Sequence, residues 1–130
     1  MSENFKTEII SPSKTILAEE TTEVIIPSFE GQMTILKDHI SLITFLRPGF
    51  IEVKNKLNIN KFYVDDGVVE FSKNNLLILT ASSKNVVDFS SDELLNLINN
   101  AEKNIHKNEL TDKEKYILSY KISSLKELNQ

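Results

Sequence analysis

Three polar residues, Lys37, Asp38 and His39, interrupt an otherwise mostly apolar stretch between Glu30 and Phe50. A histidine can act as a general base when a second group, such as a carboxylate, orients its ring. The other interpretation is that the triplet is a loop tip that contacts another protein. Because neighbours in sequence often point in different directions, and no second catalytic residue accompanies His39, a small hydrolase that uses His39 is the weakest hypothesis.

The other residues that could do chemistry lack the spacing that catalysis or ligand binding requires. The second histidine, His106, falls at the end of a predicted helix, and the chain has no cysteine. It contains no His-Glu-x-x-His or Cys-x-x-Cys metal motif and no glycine-rich phosphate loop. Asp65 and Asp66 could hold a cation, but two carboxylates before Gly67 are more typical of a turn. We therefore expect a noncatalytic chain with no metal and no cofactor.

The composition is that of a soluble globular protein. The 130 residues suffice for one domain, or for a small domain with an appendage, and 40% of them are apolar. The net charge of −4 argues against nucleic acid as the main partner, because phosphate binding requires a basic patch. No secretory signal is apparent, and no apolar run approaches the roughly 20 residues that span a bilayer. We expect membrane association only through a partner.

The first two thirds of the chain have the pattern of a β-sandwich. Short β-rich runs recur at intervals of about 8–12 residues and are separated by turn residues, which is typical of antiparallel sandwiches and barrels. Lys73, Asn74 and Asn75 predict a hairpin tip, because Asn tolerates a left-handed backbone. The predicted strands are Phe5–Ile10, Thr15–Leu17, Glu23–Pro27, Met33–Leu36, Leu42–Leu46, Phe50–Val53, Lys61–Val64, Val68–Phe71 and Leu76–Thr80.

After Val87 the pattern becomes helical. Ser90 with Glu93, and Thr111 with Glu114, each match a capping box. One apolar face follows each box: Leu94, Ile98, Ala101 and Ile105 in the first helix, and Leu118, Ile122 and Leu125 in the second. The prediction is an N-terminal antiparallel β-sandwich domain, residues 1–87, followed by a C-terminal antiparallel α-helical hairpin domain, residues 88–130. We expect Leu94, Ile98, Leu118, Ile122 and Leu125 to form the seam of the hairpin.

The hairpin is too small to bury a core of its own, so it must pack against the sandwich or a partner. An element with more than one docking surface can switch between them.

Two sequence blocks resemble the epsilon subunit of bacterial F-type ATP synthases. The first is the order Glu30-Gly31, Ile35-Leu36, His39, Leu42-Ile43-Thr44 and Arg47-Pro48-Gly49, and the second is Asp66 to Phe71 followed by Asn75 and Leu76–Thr80. The resemblance covers the whole chain. The Pro-Gly that precedes the histidine in the family is Lys37-Asp38 here. Some members bind ATP through two arginines, whose positions fall on Glu93 and Asn100, so we do not predict ATP binding.

The resemblance implies a noncatalytic central-stalk subunit that couples proton transport to ATP synthesis by linking the gamma subunit to the membrane ring of c subunits. The coupling ion, proton or sodium, is selected on other subunits. The implied location is peripheral, on the cytoplasmic face of the bacterial inner membrane. The hairpin would fold against the sandwich or extend along gamma towards the catalytic head, where it inhibits ATP hydrolysis. The implied contacts are Glu30, Gly31, Gln32, Lys37, Asp38 and His39 with the ring, and Lys113, Lys115 and Lys121 with an acidic surface of the head.

A second class of function stays open on the residues alone. The chain could be a free-standing β-sandwich adaptor whose helical arm mediates dimerisation. Arg47, the only arginine, could equally be a partner contact or a solvated turn residue. A stalk subunit would co-purify with gamma, whereas an adaptor would self-associate.

Overall fold

A computed structural model describes residues 3–130 of the chain. It contains a ten-stranded sheet followed by two helices. The strands are β1 Phe5–Ile10, β2 Thr15–Thr21, β3 Glu23–Ser28, β4 Gly31–Ile35, β5 Leu42–Leu46, β6 Gly49–Lys54, β7 Ile59–Val64, β8 Gly67–Ser72, β9 Asn75–Leu79 and β10 Lys84–Asn85. The helices are α1 Ser91–Ile105 and α2 Asp112–Leu128, with a 3-10 turn at Val86–Asp88 before α1. None of the helices within residues 3–130 is long and apolar enough to cross a membrane.

The strands are hydrogen-bonded in the order β10-β7-β6-β3-β5-β8-β9-β1-β2, and β4 branches from β3. This curled sheet confirms the predicted β-sandwich followed by a helical hairpin. One pairing differs from the antiparallel prediction, because β1 runs parallel to β9. Such a pairing joins strands far apart in sequence, so the local alternation that predicts a strand carries no information about it. The second strand is also longer than predicted, since Thr21 still pairs with Phe5 beyond the charged pair Glu19-Glu20.

The sandwich has two ends that carry different loops. The strand registers place the loop 36–41 and the turns 55–58 and 73–74 together at one end, which we name the tip end. They place the turn 29–30, the segment 47–48 and the turn 65–66 at the opposite end, which we name the dock end. Segments that lie close together in sequence can therefore face opposite directions.

The core of the sandwich is built from strand residues. The buried cluster extends from Phe5 to Ile78, and the Phe5 and Phe71 rings meet edge to face with 5.7 Å between centroids. The buried hydroxyls of Thr7 and Thr21 satisfy each other at 2.7 Å, as buried polar groups must. No helix residue belongs to this cluster, so the sandwich core does not depend on the hairpin.

Both helices begin at the predicted caps, but only one capping box forms. Thr111 and Glu114 bond each other's backbone N–H groups, as predicted. At α1, the Ser90 side chain accepts a hydrogen bond from the Glu93 N–H, whereas the Glu93 carboxylate pairs with the Lys84 ammonium. Of the predicted capping box, the bond from the Glu93 N–H to Ser90 therefore forms and the reciprocal bond to the Glu93 carboxylate does not. A charged partner from β10, distant from the local motif, competes successfully for the glutamate.

The hairpin packs on the sandwich through a second apolar cluster. Tyr63 of β7 is buried against Leu94, Ile98 and Leu125, with Phe50 and Phe89 packed around them. Leu118 and Ile122 are only half-buried, so the predicted seam is centred closer to the C-terminal end of α2 than the sequence suggested. The predicted domain boundary after Val87 falls inside the 3-10 turn that joins β10 to α1.

Candidate partner-binding surfaces

The Lys37–His39 triplet is a turn whose polar groups are used to hold the turn itself. The Asp38 N–H donates to Asn74 Oδ1 at 2.7 Å, and Asn74 Nδ2 donates to the Asp38 carboxylate at 2.9 Å. Asp38 and Asn74 both have left-handed backbones, with φ of 67° and 60°. The His39 ring lies edge-on to Phe71 of the core, at 6.0 Å. This arrangement is a fixed link between two turns at the tip end.

The segment Glu30–Gln32 lies at the dock end, away from that triplet. Gly31 has a φ of 124°, a backbone that favours glycine, and its carbonyl accepts a 2.6 Å hydrogen bond from the Ser28 hydroxyl. The length of β4 separates the two segments by about 15 Å. The structure therefore does not bring Glu30, Gly31 and Gln32 together with Lys37, Asp38 and His39. They lie at opposite ends of one strand.

Arg47 is placed between the sandwich and α2. Its backbone N–H donates to the Pro27 carbonyl at 2.9 Å. A Cβ on Gly49 would approach the Pro27 Cβ to 2.7 Å, so this close packing of the Arg47-Pro48-Gly49 segment requires a glycine. The fixed backbone directs the guanidinium onto the face of Tyr120, 3.8 Å from the ring centroid. Arg47 is therefore bound to the hairpin in the docked state.

A group of aromatic residues extends this contact. The Arg47 Nη1 donates to the Tyr116 hydroxyl at 2.9 Å, and that hydroxyl donates to the Phe29 carbonyl at 3.3 Å. The Tyr116 ring stacks on Phe29 with 5.9 Å between centroids and meets Tyr120 at 4.8 Å. We refer to Arg47, Phe29, Tyr116 and Tyr120 as the Arg47 cluster. It fixes α2 to the dock end through polar and aromatic contacts.

The three lysines predicted to contact a partner have different environments. Lys121 forms an ion pair with Asp65 at 3.1 Å, and Asp65 also accepts a 2.9 Å hydrogen bond from the Tyr63 hydroxyl. Burial first, and the Asp65 carboxylate second, raise the pKa of Tyr63, so its hydroxyl is a neutral donor at physiological pH. Lys113 lies 5.8 Å from the Phe29 ring centroid. Lys113 and Lys115 are exposed, and of these three lysines only Lys121 forms an ion pair with the sandwich.

An exposed apolar face was missed by the sequence analysis. Phe45 on β5 lies opposite Val68 on β8, which lies opposite Leu79 on β9. Phe45 is 59% exposed and Ile43, two residues away on the same strand face, is 72% exposed. We name Ile43, Phe45, Val68 and Leu79 the apolar face. Apolar residues on both faces of β5, interrupted only by Thr44, were the available signal, because a strand with apolar residues on both sides needs cover on both sides.

Among residues 3–130, no group of three or more His, Asp and Glu side chains is arranged to hold a metal ion. The carboxylate of Asp65 is bound by Tyr63 and Lys121.

Comparison with known proteins identifies the family of this chain. Residues 4–85 match the family model of the β-sandwich domain of the ATP synthase delta/epsilon chain. The ATP synthase epsilon chain of Pelagibacter ubique is 48% identical over 99% of this chain and 100% of its own length. That of Agrobacterium fabrum is 31% identical over 98% of this chain and 97% of its own length.

Solved structures share the fold at low sequence identity. A chain in the Euglena gracilis mitochondrial ATP synthase, in a structure of OSCP, F1 and c-ring, superposes with a TM-score of 0.83 at 16% identity. The match covers 100% of this chain and 84% of that one. A chain of the central stalk and c-ring of the Tetrahymena thermophila enzyme gives 0.67 at 16% identity, over 96% of both chains. With the family model and the full-length relatives, this establishes that the chain belongs to the ATP synthase epsilon chain family.

Proposed function

We propose that this chain is the noncatalytic epsilon subunit of a rotary ATP synthase, where it links the gamma subunit to the membrane ring of c subunits in the central stalk. The apolar face carries this proposal. A row of three directly opposed apolar side chains, Phe45, Val68 and Leu79, stays in contact with water unless a partner covers it. Contiguous exposed apolar surface of this kind marks protein interfaces. Gamma is the partner that we assign to it.

The membrane ring is assigned to the edge of β4. Gln32 and Thr34 of this strand are exposed on the same side, and β4 branches from the sheet as an edge. The turn at Glu30 and Gly31 flanks one end of the edge, and the Lys37–His39 turn flanks the other. A ring surface lying along the whole strand would contact both segments, about 15 Å apart. A contact of this length would include both predicted ring-binding segments, although they lie at opposite ends of β4.

The hairpin is assigned a regulatory role. Residues 1–87 would act as the structural domain, and residues 88–130 as a domain that leaves its dock and extends along gamma. Release would free Lys121 from Asp65 and present it with Lys113 and Lys115 to an acidic surface of the catalytic head. In this arrangement the chain is a peripheral protein on the cytoplasmic face of a bacterial inner membrane, held there by its partners.

Co-purification tests the proposed function. A tagged copy of the chain should recover gamma at one copy each, together with the c ring and the catalytic head. Self-association without gamma would instead support a β-sandwich adaptor that dimerises through its helices. The experiment separates the two classes because the bound protein differs in identity, not only in amount.

The ring contact predicts a specific effect of charge at the tip end. Lys37→Glu, combined with Asp38→Asn, should lower ATP-driven ion pumping per ATP hydrolysed by about two- to fivefold, the size expected for exposed charge contacts. Asn is chosen because Asp38 has a left-handed backbone and holds Asn74, and Asn tolerates both. Lys14→Glu, in the exposed β1–β2 turn, is the matched control. Ion pumping per ATP equal to that of the control would show that the Lys37–His39 end of β4 does not contact the ring.

Removal of the hairpin after Val87 predicts a folded sandwich that still assembles. The core cluster lies wholly within β1 to β9, so it survives, although Tyr63 loses its cover at a cost of about 2–3 kcal/mol. Circular dichroism should show a cooperative thermal transition at a lower midpoint. ATP hydrolysis by enzyme containing the shortened chain should rise severalfold. If hydrolysis is unchanged while the shortened chain is bound, the hairpin is not inhibitory in this protein.

A further inference from the structure

The apolar face continues beyond the sandwich and reaches the hairpin. One groove of about 590 Å³ passes between Phe45, Val68, Leu79 and the Ser11-Pro12 turn. A second groove of about 420 Å³ is lined by Phe29, Phe45 and Lys113. The two grooves share Phe45, Asp66 and Gly67. They therefore form one surface, whose far wall belongs to the first turn of α2.

The second groove exists in this form only while the hairpin is docked. Its Phe29 wall is stacked against Tyr116 of α2 and hydrogen-bonded to the Tyr116 hydroxyl. Lys113, one turn before Tyr116, supplies the only α2 side chain among the groove-lining residues. When α2 leaves the dock end, the groove loses Lys113 and the Phe29 ring loses its support. A ligand in this groove would thus contact the docked hairpin and not the released one.

We propose that the segment of gamma seated on the apolar face also enters this second groove, and so binds the docked form of the chain more tightly than the released form. The proposal rests on the assignment of gamma to the apolar face. Continuity of the surface at Phe45 is the reason for choosing the same occupant for both grooves. The lining fits an apolar side chain against Phe29 and Phe45. Its two charged residues are Asp66, which also lines the first groove, and Lys113, so a carboxylate of gamma would have to lie on the Lys113 side of the groove.

Binding of gamma and docking of the hairpin, which the proposed function treats separately, would then be coupled. Because binding linkage is reciprocal, a gamma segment that prefers the docked hairpin must also stabilise docking. One part of the gamma surface would then stabilise the docked hairpin. The contact between gamma and Lys113 would have to break before the released hairpin extended along a different part of gamma.

Charge reversal at Lys113 tests the proposal on the full chain. The affinity for ATP synthase depleted of this subunit is measured for wild type, Lys113→Glu, Lys115→Glu and Lys107→Glu. Lys115 shares the proposed contact with the catalytic head but does not line the groove, so a larger loss in Lys113→Glu than in Lys115→Glu is the result that the proposal requires. Lys107 is exposed in the link between the helices and is remote from the groove lining, so its variant controls for net charge. Lys113→Glu should weaken binding by about three- to tenfold, as expected for a charge at an interface rim, and Lys113→Arg should restore it.

Hydrogen exchange provides the second measurement. Binding of the depleted enzyme should slow amide exchange in α2 of the wild-type chain, and should slow it less in Lys113→Glu. Equal affinities of Lys113→Glu and Lys107→Glu, or exchange in α2 that does not respond to binding, would overturn the proposal. Phe45→Glu distinguishes a failure of the proposed contact between gamma and α2 from a failure of the proposed contact between gamma and the apolar face. If Phe45→Glu still abolishes binding, gamma occupies the apolar face without reaching α2.

Discussion

Phe45→Glu is expected to lower the affinity of the chain for the gamma-containing enzyme by about a hundredfold or more. Covering Phe45 removes a largely exposed ring from water, which contributes about 2 kcal/mol at an interface. A carboxylate in its place would be desolvated without a partner, which costs about a further 1–3 kcal/mol. The measurement is the fraction of the chain that co-purifies with gamma at a fixed concentration.

The isolated variant should remain folded, because Phe45 points outward and does not belong to the core cluster. Leu57→Glu is the matched control: Leu57 is 92% exposed in the β6–β7 turn at the tip end, so it introduces the same charge on an exposed apolar residue elsewhere. A thermal midpoint close to wild type in both variants would show that neither unfolds the sandwich. Retention of gamma by Phe45→Glu would refute the assignment of the apolar face.

Arg47→Ala is expected to raise the exchange rate of α2 amides by about 30- to 900-fold. The variant loses the stacking of the guanidinium on Tyr120, worth about 1–2 kcal/mol, and the charged hydrogen bond to Tyr116, worth about another 1–2 kcal/mol. Helices of 15 and 17 residues are marginally stable when isolated, so their amides exchange once the hairpin has left its dock. Hydrogen exchange followed by mass spectrometry measures this directly, even when release is rare.

Two comparisons make that experiment specific. Arg47→Lys retains a cation but not the planar fork, so its effect should be intermediate. Amides of β1 and β9 serve as an internal reference, because they lie in the sandwich core and should exchange as in wild type. If α2 amides exchange at the wild-type rate in Arg47→Ala while the reference is unchanged, the Arg47 cluster does not hold the hairpin.

The elements that local sequence determines were predicted well. The alternation in Phe50-Ile51-Glu52-Val53, the Thr111–Glu114 capping box and the Lys73-Asn74 turn all occur as expected. In each case the groups that interact lie within a few residues of one another. Periodicity and cap chemistry therefore suffice to predict them.

The candidate sites depended on contacts that local sequence does not encode. Arg47 meets Tyr120 across 73 positions, and the sequence left its role undecided between a turn and a partner contact. Glu30 and Lys37 were predicted to contact the same partner surface because they are close in sequence, but β4 places them at opposite ends of one strand. The apolar face was missed because β5 carries apolar residues on both of its faces, so the sequence does not show which of them face outward.

The buried contact between Tyr63 and Leu125 determines how the hairpin can move. Leu125 is fully buried and Tyr63 nearly so, and release would wet both, together with parts of Leu94 and Ile98. Each such side chain costs about 1.5–3 kcal/mol when it is transferred to water. Spontaneous detachment into solvent is therefore rare. If the hairpin extends as proposed, it must exchange one apolar surface for another, and its timing would then depend on the neighbour that offers the second surface.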